Sequence, residues 1–274
     1  MNRKRAGGRG FFTRKSRAYV PPKLPRIQKS SDVYIVEFPR SGITWLSSML
    51  ANTCLIESGC KQRATFYNIQ QLIPDIHMSE HIANEPMWDA PKFRFIKSHS
   101  EYCSQYSHVI YLLRNPLSVM RSYYLYSKSL RRFNGEFLEF VKDDVYGVSA
   151  WIRHVDSWLL RGDSSQRVHL IKYEELKEDT FSSLKMLYLN LGVLVDDATI
   201  KEVVKLSSFE AMQESEKMAK IYNPNLSLKF VREGETFSSS VDDIDVENYI
   251  LDATFEIRSK LGYREKLFYE NSNC

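Results

Sequence analysis

Short runs of apolar and β-branched residues alternate along this chain with longer segments in which apolar residues recur every three or four positions. The longer segments predict helices, one beginning at Pro116 and another headed by Asp179 and ended at Gly192. This alternation predicts an α/β fold, a single domain whose central parallel sheet is flanked by helices, with ligands bound at the carboxyl ends of the strands. Four runs predict strands: VYIVEF (33–38), FRFIK (93–97), HVIYLL (108–113) and RVHLIKY (167–173).

Basic residues are concentrated at the N-terminus. The 274 residues include 38 Lys and Arg and 34 Asp and Glu, a net charge of +4. Residues 1–31 hold ten of the basic residues and no acidic one, which leaves 28 basic against 34 acidic residues in the rest. We therefore divide the chain into a basic disordered tail (1–31) and a mildly acidic domain (32–274), and expect no nucleic-acid partner for that domain.

The tail lacks the apolar segment of a secretory signal peptide, and a solvated extension is the favoured interpretation. A transit peptide, or an arm that contacts phosphates or anionic lipid, remains open. No apolar run approaches the roughly 20 residues that a membrane span needs. A cytoplasmic location is the expectation that follows.

Cysteine and histidine spacing gives no metal site. The four cysteines form no C-x-x-C pair, so we expect reduced thiols. His77 and His81 are four residues apart and close to Asp75, but a third ligand at suitable spacing is missing. We expect no metal.

The segment FPRSGITW (38–45) predicts an anion-binding turn between the first strand and the next helix. Backbone N–H groups at a helix N-terminus favour an anion, and Gly42 lets the backbone approach it closely. Arg40 adds a cation, and Ser41 and Thr44 add hydroxyl donors. The spacing of a Walker A loop is absent, and on these residues alone an ordinary helix cap is the alternative.

FPRSGITW resembles the 5′-phosphosulfate-binding loop of the sulfotransferases, Y-P-K-S-G-T-T-W. RNPLSVMRSYY (114–124) resembles their 3′-phosphate signature, R-N-x-x-D-x-x-x-S-Y-Y, and KSH (97–99) resembles K-T-H, whose histidine is the catalytic base. KYEELKE (172–178) and SSFEAM (207–212) resemble two further segments, Y-E-D-L-K-E and T-S-F-x-x-M. With five motifs in the family's order, the chain is identified as a member of the soluble, cytosolic-type sulfotransferases.

The resemblance implies a P-loop-like nucleotide-binding fold. It also implies transfer of a sulfuryl group from 3′-phosphoadenosine 5′-phosphosulfate (PAPS) to a hydroxyl or amine, which yields 3′-phosphoadenosine 5′-phosphate (PAP) without a metal. His99 would be the general base, with Lys97 and Arg40 as further catalytic residues. The expected donor-binding residues are Arg40, Ser41, Gly42, Ile43, Thr44, Trp45, Arg114, Ser122, Tyr173, Ser207, Phe209, Arg232 and Gly234.

Simpler roles stay open at several positions. Trp45 and Phe209 could pack in the core, Lys97 could be a solvated strand-end lysine, and His99 could be structural. Phe66, Tyr67, Met87, Trp88 and Phe133 could line an apolar pocket for a small-molecule acceptor or could be core residues.

A catalytically weak or inactive nucleotide-binding protein of the same fold is the alternative function. It is favoured by residues 232–238, where glutamate replaces the lysine of the family's R-K-G-x-x-G-x-W-K signature and the second glycine and the tryptophan are lost. A kinase-like phosphoryl transferase would need Mg²⁺ ligands and a full P-loop lysine, and neither is found. Binding of nucleic acid through the tail is a further alternative. The oligomeric state is open.

Overall fold

The computed structural model of the protein describes residues 22–78, 88, 93–161, 167–222 and 241–263. Their four strands form one parallel sheet in the order β2-β1-β3-β4. Each strand lies within one residue of the predicted position at both ends, which confirms the α/β prediction. The strands are β1 (Asp32–Glu37), β2 (Arg94–Ser98), β3 (His108–Leu113) and β4 (Arg167–Lys172).

Helices cover both faces of the sheet. They are α1 (Ile43–Glu57), α2 (Ile69–Leu72), α3 (Pro116–Ser129), α4 (Phe137–Val141), α5 (Val148–Leu159), α6 (Tyr173–Glu178), α7 (Thr180–Asn190), α8 (Asp197–Leu206), α9 (Phe209–Tyr222) and α10 (Val241–Lys260).

The helix ends follow the local sequence. The Asn115 side chain accepts a hydrogen bond from the Leu117 N–H at 2.9 Å, and Pro116 begins α3. Asp179 caps α7 in the same way, through the Ser182 N–H at 2.9 Å. Gly192 follows α7 with a φ of +76°, the left-handed conformation that favours glycine at a helix end.

Side chains of β1 alternate between two hydrophobic cores. Tyr34 and Val36 point into one core, which α3, α4, α5 and α10 cover. Val33 and Ile35 point into the other, beneath α1, α7 and α8. All six residues of β1 are buried, and strands flank it on both sides, so β1 is an inner strand of the sheet with both faces covered.

The strands β2 and β3 lie on opposite sides of β1. The chain passes from β1 to β2 on one side and then returns to place β3 on the other side of β1. The loops that follow β1 and β3 therefore lie side by side at the carboxyl edge of the sheet, where α/β folds form a ligand crevice.

The last part of the predicted basic tail contacts the domain. The Tyr106 hydroxyl donates a hydrogen bond to the Lys23 carbonyl at 2.8 Å, and Arg94 donates one to the Ile27 carbonyl at 2.7 Å. Leu24 packs against the core. Residues 1–21 lie outside the described part, and the division of the chain at residue 31 stays a prediction.

Candidate functional site

The loop between β1 and α1 turns sharply at Gly42, whose φ is +112°. A Cβ atom at this position would lie 2.7 Å from the Tyr173 ring, so glycine is required both for the conformation and for the close contact. Ser41 is 1% exposed, and both its backbone N–H and its hydroxyl donate to the Phe38 carbonyl. The Ser41 hydroxyl therefore braces the turn.

Arg40 connects this loop to α3. Its Nε donates a hydrogen bond to the Ser122 hydroxyl at 3.2 Å, and its guanidinium lies 4.7 Å from the centre of the Tyr126 ring. The two phosphate motifs of the sequence thus meet in space, although 82 residues separate them. Arg40 itself has a φ of +78°, an uncommon backbone conformation for a residue other than glycine.

Arg114 follows β3 and faces the same loop. One terminal nitrogen donates to the Arg40 carbonyl at 3.3 Å, and its guanidinium lies 4.2 Å from the centre of the Tyr173 ring. Arg114 Nε is buried and has no hydrogen-bond partner among the described residues. A buried, unpartnered guanidinium N–H is costly, and a bound anion would satisfy it.

An aromatic corner adjoins the loop on the side of α8. The Trp45 indole donates to the Ser207 carbonyl at 2.7 Å and meets the Tyr173 ring edge-on, with the ring centres 5.6 Å apart. The Ser207 hydroxyl is buried between Ser48 and Asn52. Ser207 therefore holds Trp45 through its carbonyl, and its hydroxyl belongs to the core.

Lys97 and His99 come at the end of β2. Lys97 is 3% exposed, so it is not a solvated lysine. His99 Nδ1 lies 3.3 Å from the Glu37 carbonyl, which can only accept a hydrogen bond. The neutral ring then carries its hydrogen on Nδ1, and Nε2 is left to accept a proton; the Asp75 carboxylate lies 3.7 Å from Nε2.

Burial lowers the pKa of both His99 and Lys97. It lowers the pKa of His99 below its ordinary value, while the nearby Asp75 carboxylate opposes the shift. It lowers the pKa of Lys97 to about 8, with Asp75 and Glu37 opposing. At neutral pH His99 is therefore an uncharged base, and Lys97 is largely an ammonium ion.

The sequence assigned no role at the donor site to three residues of this region, although His77 and Asp75 were weighed as metal ligands. The Glu37 carboxylate is buried at the end of β1 and accepts the Ile43 N–H at 2.7 Å. Asp75 lies beside His99, and His77 Nε2 accepts the His99 backbone N–H at 3.0 Å. A carboxylate inside the apolar run VYIVEF was the available signal for Glu37, whereas Asp75 and His77 come from an irregular segment before β2.

The remaining predicted positions vary in what they contact. Thr44 is half-buried in the first turn of α1, and Phe209 is half-buried at the start of α9. Arg232 and Gly234 lie outside the described residues. Among the residues considered for an acceptor pocket, Trp88 and Phe133 pack in the cores, Tyr67 is 71% exposed, and Met87 lies outside the described residues.

In the part of the chain that the structure describes, no group of three or more His, Cys, Asp or Glu side chains could hold a metal ion. No helix there is both long and apolar enough to cross a membrane.

Comparison with known proteins identifies relatives of this chain. The model of the sulfotransferase domain matches residues 30–249. Human sulfotransferase 4A1 is 31% identical over 195 residues, which is 65% of each chain. Sulfotransferase 2A1 of Macaca fascicularis is 29% identical over 256 residues, or 87% of this chain and 85% of that protein.

Solved structures share the fold. Retinol dehydratase, in complex with androsterone and the inactive cofactor PAP, superposes with a TM-score of 0.62 at 18% identity, covering 83% of this chain and 82% of that one. Mouse sulfotransferase SULT7A1 complexed with PAP gives a TM-score of 0.56 at 22% identity, covering 84% and 86%. Since the domain model alone matches well over half of its residues, this chain belongs to the sulfotransferase family, whose members move a sulfuryl group from PAPS to an acceptor.

Proposed function

We propose that this protein transfers the sulfuryl group of PAPS to a hydroxyl or amine of a small molecule, with His99 as the general base. The observation that carries the proposal is the meeting of Arg40, Arg114 and Ser122 at one edge of the sheet, with the buried Arg114 Nε lacking a partner.

The donor nucleotide would be held along the carboxyl ends of β1 and β3. Arg114 and Ser122 would bind its 3′-phosphate through charge-assisted hydrogen bonds, and Arg40 of the loop is hydrogen-bonded to both of them. The N-terminus of α1 favours the anionic 5′-phosphosulfate. Trp45 and Tyr173 offer aromatic surface for the adenine.

The chemical step is an in-line displacement at sulfur. The acceptor oxygen or nitrogen forms a bond to sulfur while the bond between sulfur and the bridging oxygen of the nucleotide breaks. His99 Nε2 takes the acceptor proton, and the Asp75 carboxylate stabilises the imidazolium that results. The electron pair of the breaking bond stays on the 5′-phosphate, and PAP leaves.

Cations stabilise the charge that grows on the leaving oxygen. Lys97 is buried at the same strand end as His99, in an environment where a fixed charge acts more strongly than in water. Arg40 supplies a second positive charge from the loop. The retained His99 and Lys97 favour an enzyme over a binding protein that has lost turnover.

The acceptor, the location and the alternative function remain predictions. A hydroxyl-bearing or amine-bearing small molecule is proposed, and nothing narrower. A cytoplasmic location is likewise proposed. A catalytically weak protein of the same fold is the second candidate, favoured by the replacement of lysine by Glu233.

Nucleotide binding is the first test. Calorimetric titration with PAP, with 5′-AMP as the control ligand, measures how much affinity depends on the 3′-phosphate. We expect Arg114→Ala to weaken PAP binding by at least tenfold and to leave the weak binding of 5′-AMP nearly unchanged. The matched control is Arg153→Ala, since half of the Arg153 side chain is exposed to solvent. Equal binding of PAP and 5′-AMP by the unchanged protein would refute the donor site.

Turnover separates the two candidate functions. His99→Gln should abolish transfer of labelled sulfate from PAPS to a panel of phenols, alcohols and amines while leaving PAP affinity within twofold. His108→Gln is the control, because His108 begins β3 at the opposite edge of the sheet. A protein that binds PAP tightly but transfers sulfate to no acceptor would favour the inactive alternative.

A further inference from the structure

Glu37 is a buried carboxylate for which the proposed mechanism has no use. It is the last residue of β1 and is 2% exposed. Its Oε2 accepts the Ile43 N–H at 2.7 Å, and the Arg40 backbone N–H also bonds to this carboxyl group. Both N–H groups belong to the loop that is expected to bind the 5′-phosphosulfate. A carboxylate of the protein thus already engages donors of an anion site.

Charged and titratable groups face Glu37 from each strand packed around it. Arg40 follows β1, Lys97 belongs to β2, and His99 Nδ1, just after β2, lies 4.0 Å from Glu37 Oε1. Tyr111 of β3 and Arg114 after β3 complete the set.

The balance of these surroundings favours the neutral acid. Burial raises the pKa of Glu37 to about 8, although the loop N–H groups, Arg40 and Arg114 all favour the ionised form. A nucleotide phosphate in the loop would add negative charge within a few ångströms of the carboxyl group and would disfavour ionisation further. The two anions compete for the same donors and the same cations.

We propose that Glu37 is a proton-binding member of the donor site, so that the nucleotide binds while Glu37 is protonated and is repelled once Glu37 ionises. The inference rests on the proposed function, because it assigns a role to Glu37 only in nucleotide binding. By linkage, a ligand that prefers the protonated form must take up protons when it binds above the pKa of the free group. Its affinity then falls by up to about tenfold per pH unit in that range.

The test compares two isosteric replacements. In Glu37→Gln, the amide oxygen still accepts the Ile43 N–H, but the group cannot ionise. The control is Glu101→Gln, since Glu101 lies in an exposed loop after β2 and 44% of its side chain is open to solvent. PAP dissociation constants are measured by calorimetry from pH 7 to pH 9.5, where phosphate monoesters, whose second pKa is near 6, are fully ionised.

The expected result is that the dissociation constant of PAP rises more steeply with pH in the unchanged protein than in Glu37→Gln. Lys97 also loses its charge near pH 8, which weakens PAP binding, and the Glu37 carboxylate shifts the pKa of Lys97. Each of the three proteins is therefore also measured with Lys97→Arg, and the contribution of Glu37 is the difference in pH dependence that remains when this charge is fixed. By pH 9.5 the unchanged protein and Glu101→Gln should bind PAP at least tenfold more weakly than Glu37→Gln, relative to pH 7. Equal slopes in all three proteins would overturn the role of Glu37 and leave the proposed function standing.

A second measurement covers the case in which Glu37→Gln fails to fold. Titration of the unchanged protein at pH 8.5, in buffers of different ionisation enthalpy, counts the protons taken up when PAP binds. Because Lys97 can also take up a proton near pH 8, the titration is repeated with Lys97→Arg, which keeps its charge. Net uptake in that protein supports the inference, and zero uptake overturns it, whatever Glu37→Gln does. Absence of PAP binding at every pH would instead overturn the donor site and this inference together.

Discussion

Replacement of Gly42 by alanine tests how tightly the phosphate loop is packed. The new Cβ would lie 2.7 and 2.8 Å from two atoms of the Tyr173 ring, closer than such contacts occur, and φ at this position is +112°. Backbone strain of a non-glycine residue at such a φ costs about 1–3 kcal/mol. The displaced ring adds to this cost, because Tyr173 also contacts Arg114 and Trp45.

We expect Gly42→Ala to lower the free energy of unfolding by about 2–4 kcal/mol, which corresponds to a fall in Tm of roughly 4–16 °C at 2–4 °C per kcal/mol. PAP affinity should fall at least tenfold, since the Tyr173 ring must move out of the site. The assays are urea denaturation and calorimetric titration of the same preparations.

Gly59→Ala is the matched control, because Gly59 has a φ of +67° but no atom lies within 4 Å of the added Cβ. It should cost about 1–2 kcal/mol of strain and leave PAP affinity unchanged. The contact itself is isolated by repeating Gly42→Ala in a Tyr173→Ala background, where only the strain should remain. The same penalty in both backgrounds would refute the argument that the ring excludes a side chain at Gly42.

Three further outcomes follow from charged side chains that are buried or half-buried. Asp32→Ala should cost about 3–5 kcal/mol in urea denaturation, since it leaves the Arg94 guanidinium buried without the carboxylate that lies 2.7 Å away; a cost below 1 kcal/mol would contradict this. Glu174→Ala should weaken PAP binding several-fold, because the Asn115 N–H beside Arg114 loses the acceptor that lies 2.9 Å away, and unchanged affinity in titration would contradict it. At saturating donor, kcat should fall above pH 8, because the bound anionic donor raises the pKa of Lys97 beyond its value of about 8 in the free protein, and Lys97→Arg should shift that decline upward; a coincident decline in both proteins would exclude Lys97 as its source.

The strands and the donor loops could be predicted from the sequence because their signals are local. Each strand is a short run of apolar residues with turn residues beside it, and the run 108–113 is strand β3 without any shift. Pro116 and Asp179 mark helix starts through their own chemistry. The order of the motifs then placed Arg40 and Arg114 at strand ends, where a parallel sheet brings them together.

The contacts that tune the site could not be predicted because they depend on three-dimensional proximity. Glu37 lies inside the apolar run 33–38, and only the fold shows that its carboxylate is buried against the first residue of α1. Asp75 reaches His99 because the irregular segment after α2 pairs with Lys97 along the edge of β2. The Arg40 side chain reaches Ser122 from a backbone with a positive φ, a conformation that the sequence does not signal for an arginine.

The position of Trp45 gives the protein an internal optical reporter. Of the four tryptophans, Trp88, Trp151 and Trp158 are at most 2% exposed, and Trp45 alone is half-buried at the proposed nucleotide site. The emission of the three buried indoles should be insensitive to ligands, because their surroundings are fixed by the core. A change in intrinsic fluorescence on addition of nucleotide would then come from a single known ring, so that binding could be followed in real time without a label.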